Sequence, residues 1–305
     1  MEIIYLDNKQ INLKTPLVCT IGAFDGIHEA HQLLIKDCID KAHEMEAKSA
    51  VITFDPHPDY VLGKRPNEGL ITPLKEKCAI LEALGEDYTL IVHFTKDIAA
   101  LLPEQFRKTI LGHLNISHIF VGSDFRYGYK GQGDAASLND IAPTTVVSLL
   151  TYHQNKMGSD LVRQGLKEGD LKTVREILNR AYTISGTVIE GRHIGHSLGY
   201  PTANICLKDE YLNIRKGVYA VWVYFDQHKY LGVANVGHNP TLNYKDILTL
   251  EVHILDFDQD IYGQTITVEF VEFIRGEKKF NSKNELIDEI NKNAQEARQL
   301  LKEAI

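Results

Sequence analysis

The sequence predicts two successive domains: an α/β domain built on a parallel sheet, then an antiparallel β-barrel carrying a terminal helix. Three observations predict this. From residue 17 short apolar runs alternate with longer segments of helical apolar spacing, the pattern of parallel strands joined by crossover helices. After Tyr182 the runs become β-branched and aromatic, and only turns or loops separate them. Helical spacing returns once more at the end, behind a capping signature. With 305 residues, 44% hydrophobic and 24% charged, the chain has the length and composition for two cores.

In the first domain Leu17 to Ile21, Ala50 to Phe54, Thr89 to Phe94, Ser117 to Val121 and Thr145 to Leu149 read as strands. Gln32 to Ala47, Leu74 to Leu84 and Glu104 to Leu114 read as the helices between them. Two further helices follow, Ser159 to Lys167 and Leu171 to Ala181, with Gly169-Asp170 as the break and cap between them. The second domain reads as strands Thr183 to Ile189, Val218 to Phe225, Tyr230 to Asn235, Leu248 to Leu255 and Thr265 to Phe273. Ser282-Lys283-Asn284-Glu285 opens the terminal helix, whose Leu286, Ile290, Ala294, Ala297 and Leu301 share one face. The change of period sets the boundary, giving domains 1–181 and 182–305.

Several function classes are disfavoured. A net charge of −8 is the wrong sign for a protein whose affinity rests on a nucleic-acid backbone. No 18-residue apolar stretch occurs and the first residues lack a basic, apolar leader, so a soluble cytoplasmic protein without membrane or nucleic-acid partners is expected. Cys19, Cys38, Cys78 and Cys206 are widely spaced and read as reduced thiols. Composition fixes no oligomeric state.

Two stretches carry chemistry. Gly22-Ala23-Phe24-Asp25-Gly26-Ile27-His28-Glu29-Ala30-His31 follows the first strong strand and opens a helix, where ligands gather in a parallel sheet. Two imidazoles three residues apart beside a helix N-terminus suit hydrogen bonding to a phosphate whose charge shifts during transfer. The competing readings are a zinc site, one residue short of H-E-x-x-H and lacking an obvious third ligand, and a purely structural histidine pair. In the second stretch Gly186, Gly191, Gly195 and Gly199 recur among Arg192, His193 and His196, composition suited to a loop whose backbone approaches an anion. Thr202 and Asn204, two apart at the start of a strand, place neutral oxygens on one face and suit Mg²⁺. A Gly/Pro turn with local Thr or Asn hydrogen bonds is the alternative. Glu251 lies in an apolar strand: it faces the interior with a chemical role, or points outward with His253.

The run G-x-F-D-G-x-H-x-x-H resembles the HxGH signature of nucleotidyltransferases, in the form found in prokaryotic bifunctional riboflavin kinase/FAD synthetases. Phe54-Asp55-Pro56-His57-Pro58 and Val121 to Gly128 resemble that family's next two motifs, at suitable distances. Gly186 to Asn204, Gly217-Val218-Tyr219, Gly232 to Gly237, Leu250 to Phe257, Tyr262-Gly263 and Phe273 to Glu277 resemble its riboflavin kinase module. The likeness spans the chain from Gly22 to the last helix.

This resemblance implies a Rossmann-like FMN adenylyltransferase domain followed by a barrel-shaped riboflavin kinase. The implied substrates and products are ATP, riboflavin, FMN and FAD, with Mg²⁺ as cofactor. His28 and His31 would stabilise the transition state at the α-phosphate of ATP, with Gly22, Phe24, Asp25, Ser159 and Arg163 around the nucleotide. Asp55, His57, Asp124 and Arg126 would line the flavin and nucleotide sites. In the kinase, Thr202 and Asn204 would hold Mg²⁺, Gly191, Gly195 and Gly199 the nucleotide, and Asn235 and Arg275 the flavin, with Glu251 as general base on the ribityl hydroxyl.

The sequence departs from the family pattern at Ala30, where Gly is usual, and at Asp160 and Leu161, where Thr and Arg are usual. A triphosphate near the last two would lose a cation and gain a carboxylate. The alternative expectation is therefore a riboflavin kinase whose N-terminal module is degenerate or regulatory. A flavin- or nucleotide-binding protein without turnover and an RNA-binding protein are the readings from other classes.

Overall fold

The computed structural model describes residues 1–6, 13–65, 69–148, 150–153, 155–190, 200–240 and 246–303. The chain divides into two compact units, Met1–Asn67 with Thr72–Gly158, and Glu68–Ile71 with Ser159–Ile305.

The first unit is a six-stranded parallel sheet in the order β1-β4-β3-β2-β5-β6, formed by β1 (Glu2–Tyr5), β2 (Leu17–Ile21), β3 (Lys48–Asp55), β4 (Tyr88–His93), β5 (Ile116–Gly122) and β6 (Thr144–Val147). All five residues of β2 are buried, which explains its unbroken apolar run: crossover segments cover both faces of a central parallel strand. Its neighbours are β3 and β5, so the strand order reverses beside β2. Ligands bind at the carboxyl ends of strands at such a reversal. Helix α1 (Glu29–Glu44) leaves from there and buries Leu34, Ile35, Cys38, Ile39 and Ala42. Two one-turn helices, α2 (Pro58–Val61) and α4 (Lys96–Ala99), flank the longer α3 (Leu74–Ala83).

The expected helix from Glu104 to Leu114 is less regular than its spacing suggests. It begins as α5 (Pro103–Phe106) and continues at Arg107–Leu111 as a π-helical turn, in which the Gly112 N–H bonds back to the Arg107 carbonyl at 2.7 Å. Strand β1 was not expected. A small hairpin, β7 (Thr151–Tyr152) with β8 (Asn155–Lys156), completes the unit.

In the second unit α6 (Ser159–Glu168) and α7 (Leu171–Leu178) precede a closed antiparallel barrel in the order β10-β13-β12-β11-β14-β9. Its strands are β9 (Tyr182–Ile189), β10 (Ala203–Cys206), β11 (Gly217–Phe225), β12 (His228–Pro240), β13 (Asp246–Ile254) and β14 (Thr265–Arg275). The change of period suggested a boundary at 181/182, whereas the compact units divide between Gly158 and Ser159, because α7 packs on β9 and β14. The break between the two helices forms as expected, with the Asp170 carboxylate accepting from the Thr173 N–H at 3.1 Å.

Helix α8 (Lys283–Glu303) lies on the outer face of the barrel. Ala297 and Leu301, both fully buried, pack with Ala220, Trp222 and Val271. Burying one such leucine contributes about 1.5–3 kcal/mol, enough to hold a helix end in place. Its capping box is shared out: the Ser282 Oγ accepts from the Glu285 N–H, and the Glu285 carboxylate accepts from the Asn281 N–H.

Candidate functional site

In the first unit, the turn after β2 brings the expected residues together through three departures from ordinary backbone within four residues. Phe24 (φ 51°), Gly26 (φ 89°) and Ile27 (φ 40°) occupy the left-handed region, where only glycine is comfortable. What holds Phe24 and Ile27 there is burial, at 2% and 0% exposure. The Asp25 carboxylate is also buried and accepts from the Thr72 N–H at 3.1 Å, so it anchors the loop.

His28 is the N-cap of α1 and His31 lies one turn on. Their rings stack with centroids 3.7 Å apart, and the Phe24 ring stands edge-on to His31 at 5.0 Å. The buried His31 Nδ1 has no hydrogen-bond partner among the described residues. Burial foremost, then His28, Lys77 and Lys156, push His31 well below the usual histidine range and favour its neutral form. A neutral ring retains one N–H donor.

Asp55 closes β3 half-buried, and the His57 Nδ1 accepts from the Asp59 N–H at 3.1 Å, capping α2. Asp124 and Arg126 follow β5 on the surface: Asp124 is ion-paired with Lys156, and Arg126 donates to the Phe125 carbonyl. Ser159 starts α6 in the second unit. Arg163 on that helix is buried and donates to the Gly69 carbonyl at 3.0 Å. Asp160 is exposed in the first turn of α6, where a carboxylate favours the helix N-terminus.

In the second unit the register draws a row of residues across the barrel. Asn204 of β10 is opposite Glu251 of β13, Glu251 is opposite Asn235 of β12, Asn235 is opposite Val218 of β11, and Val218 is opposite Arg275 of β14. Directly paired side chains share a face. Leu250, Val252 and Ile254 point into the core, so Glu251 and His253 lie on the outer face, as strand alternation permits. There, with α8, they border a cavity of about 390 Å³. Its polar edge includes Thr202, Asn235, Glu251 and Arg275, and Val218, Val233, Phe280, Leu286 and Ile290 supply an apolar wall. That size and mixture suit a small organic molecule oriented by a few polar groups.

Arg275 pairs with Glu289 of α8 at 3.1 Å and donates to Asn293 at 3.2 Å, so it ties β14 to α8. His253 Nδ1 is 2.8 Å from the Pro201 carbonyl, and the Tyr200 hydroxyl donates to Asn291 at 2.8 Å. These contacts tie the segment before β10 to β13 and α8.

Gly191, Gly195 and Gly199, with Arg192, His193 and His196, lie outside the described residues. Gly186, grouped with them by spacing, belongs to β9, where an added Cβ would lie 2.5 Å from the Ile205 side chain. Among the described residues no group of three His, Cys, Asp or Glu side chains is placed to hold a metal ion. Thr202 and Asn204 offer neutral oxygens beside Glu251, a donor set that fits Mg²⁺ with its remaining positions filled by water and phosphate.

Sequence reasoning missed Lys77. It sits on the buried side of α3 with Cys78 and Leu81, 3% exposed, and a lysine within an apolar stripe was the available signal.

Comparison with known proteins gives a consistent result. A family model described as FAD synthetase matches residues 10–163, and one described as riboflavin kinase matches residues 178–301. A bifunctional riboflavin kinase/FMN adenylyltransferase of Listeria monocytogenes is 37% identical over 286 residues, spanning 92% of this chain and 91% of the relative. One of Bacillus subtilis is 38% identical over 288 residues, with the same two shares. The crystal structure of a macrolide-efflux protein from Streptococcus pneumoniae superposes with a TM-score of 0.88 at 29% identity, over 98% of this chain and 99% of that one. Among the described residues no helix is long and apolar enough to cross a membrane.

Proposed function

Because this chain belongs to the bifunctional riboflavin kinase/FMN adenylyltransferase family, and so phosphorylates riboflavin to FMN and adenylylates FMN to FAD, we propose a division of labour among its residues. The kinase-only alternative is not favoured, since residues 10–163 match the FAD synthetase model.

In the kinase reaction riboflavin occupies the barrel cavity, its ring system against the apolar wall and its ribityl chain toward Glu251. Glu251 takes the proton of the terminal hydroxyl as that oxygen attacks the γ-phosphorus of ATP; the bond to the bridging oxygen breaks and ADP leaves. Asn235 and Arg275 orient the flavin. Thr202 and Asn204 would hold Mg²⁺, which when bound neutralises phosphate charge. The observation supporting this reading is the row Asn204–Glu251–Asn235, which sets the candidate base between a candidate metal ligand and a flavin contact.

In the adenylyltransferase reaction the loop from Gly22 to His31 receives the triphosphate. A phosphate oxygen of FMN attacks the α-phosphorus, pyrophosphate leaves, and His28 and His31 stabilise the charge that develops. Asp55, His57, Asp124 and Arg126 contribute to the flavin side. The cytoplasm, where ATP and free flavin meet, is the place of action.

The test is a time course with riboflavin, ATP and Mg²⁺, resolved by chromatography. FMN is expected first and FAD after it. Accumulation of FMN without FAD would overturn the roles assigned to the first loop.

A further inference from the structure

Lys77 has no part in the reactions as described, yet it is a buried ammonium beside the loop of the first unit. Its Nζ donates to the Ala23 carbonyl at 2.7 Å and reaches the Thr53 Oγ1 at 3.3 Å. The Thr53 hydroxyl, fully buried on β3, donates to the same Ala23 carbonyl at 3.2 Å. One carbonyl oxygen is thus gripped by two side chains from separate elements. The Asp25 and Asp55 carboxylates are near enough to favour the cation, while burial, the larger effect, lowers its pKa.

A peptide unit is planar and trans, so its C=O and N–H point in opposite directions. Fixing the Ala23 carbonyl toward Lys77 therefore turns the Phe24 N–H away from Lys77. No backbone acceptor for that N–H is found among the described residues. A backbone donor without a protein acceptor is available to a ligand. The Phe24 ring also stands edge-on to His31, so this residue adjoins the imidazole pair. Burying a lysine merely to fill space is a poor solution, since an apolar residue of similar size avoids the desolvation.

We propose that Lys77 is a positioning residue for adenylyl transfer, its ammonium holding the Ala23–Phe24 peptide so that the Phe24 N–H is presented to a phosphate oxygen of the nucleotide. The inference rests on the assignment of this loop to the triphosphate. Thr53 is the second support of the same peptide.

The test uses the full-length protein, because the kinase reaction reports on the folding of the same preparation. Lys77→Met is expected to lower kcat for FAD formation about tenfold to a hundredfold, as for loss of an oriented donor, with FMN formation within about twofold of the parent. A change in pH profile distinguishes positioning from a loss of folded molecules. The charged groups acting on His31 are His28, Lys77 of α3 and Lys156 of β8, so removing Lys77 is expected to move the acid limb of FAD formation to higher pH. Partial unfolding would lower the plateau without moving the limb. Thr53→Val, which keeps the shape and deletes one donor, is expected to show a smaller fall of about threefold to tenfold. If Lys77→Met fails to fold, Thr53→Val decides, and full FAD formation by it overturns the proposal. His31→Gln separates the two levels: if it abolishes FAD formation while Lys77→Met and Thr53→Val leave it intact, this inference alone falls. If His31→Gln is also fully active, the assignment of the loop falls with it.

Discussion

Glu251 on β13 stands directly opposite Asn204 on β10, and both face away from the barrel core. The Glu251 carboxylate is exposed there, yet it borders an apolar-walled cavity. A base that must accept a proton from a bound hydroxyl needs this combination of charge and proximity.

Replacing Glu251 by Gln keeps the size and removes the base. FMN formation is expected to fall by about 10²–10⁴-fold, the usual weight of a general base, with thermal stability almost unchanged because the side chain is exposed. FAD formation from supplied FMN should continue. Parental FMN formation in this variant would remove Glu251 from the mechanism.

Thr202→Val exchanges a hydroxyl for a methyl at the edge of the cavity. If Thr202 holds the metal, the Mg²⁺ concentration for half-maximal FMN formation should rise about tenfold or more, as for loss of one ligand, and chelation should abolish the reaction in both proteins. An unchanged Mg²⁺ titration would assign the ion to other ligands.

Glu86 is 3% exposed, a buried carboxyl of the first unit. Burial, with the Asp87 carboxylate adding and Ser49 opposing, pushes its pKa up to about 8 from an ordinary 4.5. A folded-state pKa above the unfolded one means the folded protein binds the proton more tightly. The contribution is complete below about pH 4.5 and is lost as pH rises toward 8. Glu86→Gln should flatten that decline, a difference of about 3–5 kcal/mol across the window, in denaturant unfolding of the first unit. Parallel curves for the two proteins would show that the carboxyl ionises without penalty.

Gly186→Ala sets two effects against each other. Alanine in a strand favours folding by about 0.5–1 kcal/mol through the unfolded chain, but here its Cβ meets Ile205 at 2.5 Å and the Cys206 carbonyl at 2.7 Å. Overpacking costs about 1–3 kcal/mol and wins, so a lower unfolding midpoint is expected for the barrel. A midpoint equal to the parent's would mean that β9 and β10 separate easily.

The two-part architecture was legible because its signals are collective: buried parallel strands such as β2 cannot hide their apolar runs, and the barrel strands are β-branched and aromatic runs with only turns or loops between them. Strand β1 was overlooked because an edge strand is only half-covered, and Ile3 and Tyr5 are in fact exposed. The place where the compact units divide was not legible, because α7 has the same amphipathic spacing whichever sheet it packs on. For the candidate sites, motif residues such as His28, His31 and Glu251 could be put forward from the sequence. Register could not be, and it is register that aligns Asn204, Glu251 and Asn235. Lys77 went unnoticed because its role depends on a single carbonyl contributed by another segment.

Helix α8 supplies Leu286, Ile290 and Asn293 to the wall of the barrel cavity, and β14 closes the barrel against β9. Domains fold as units while the ribosome is still adding residues. The loop from Gly22 to His31 and its sheet are therefore complete long before the cavity has its last wall. During synthesis each chain gains the means to consume FMN before the means to make it, so the order of manufacture is the reverse of the order of chemistry.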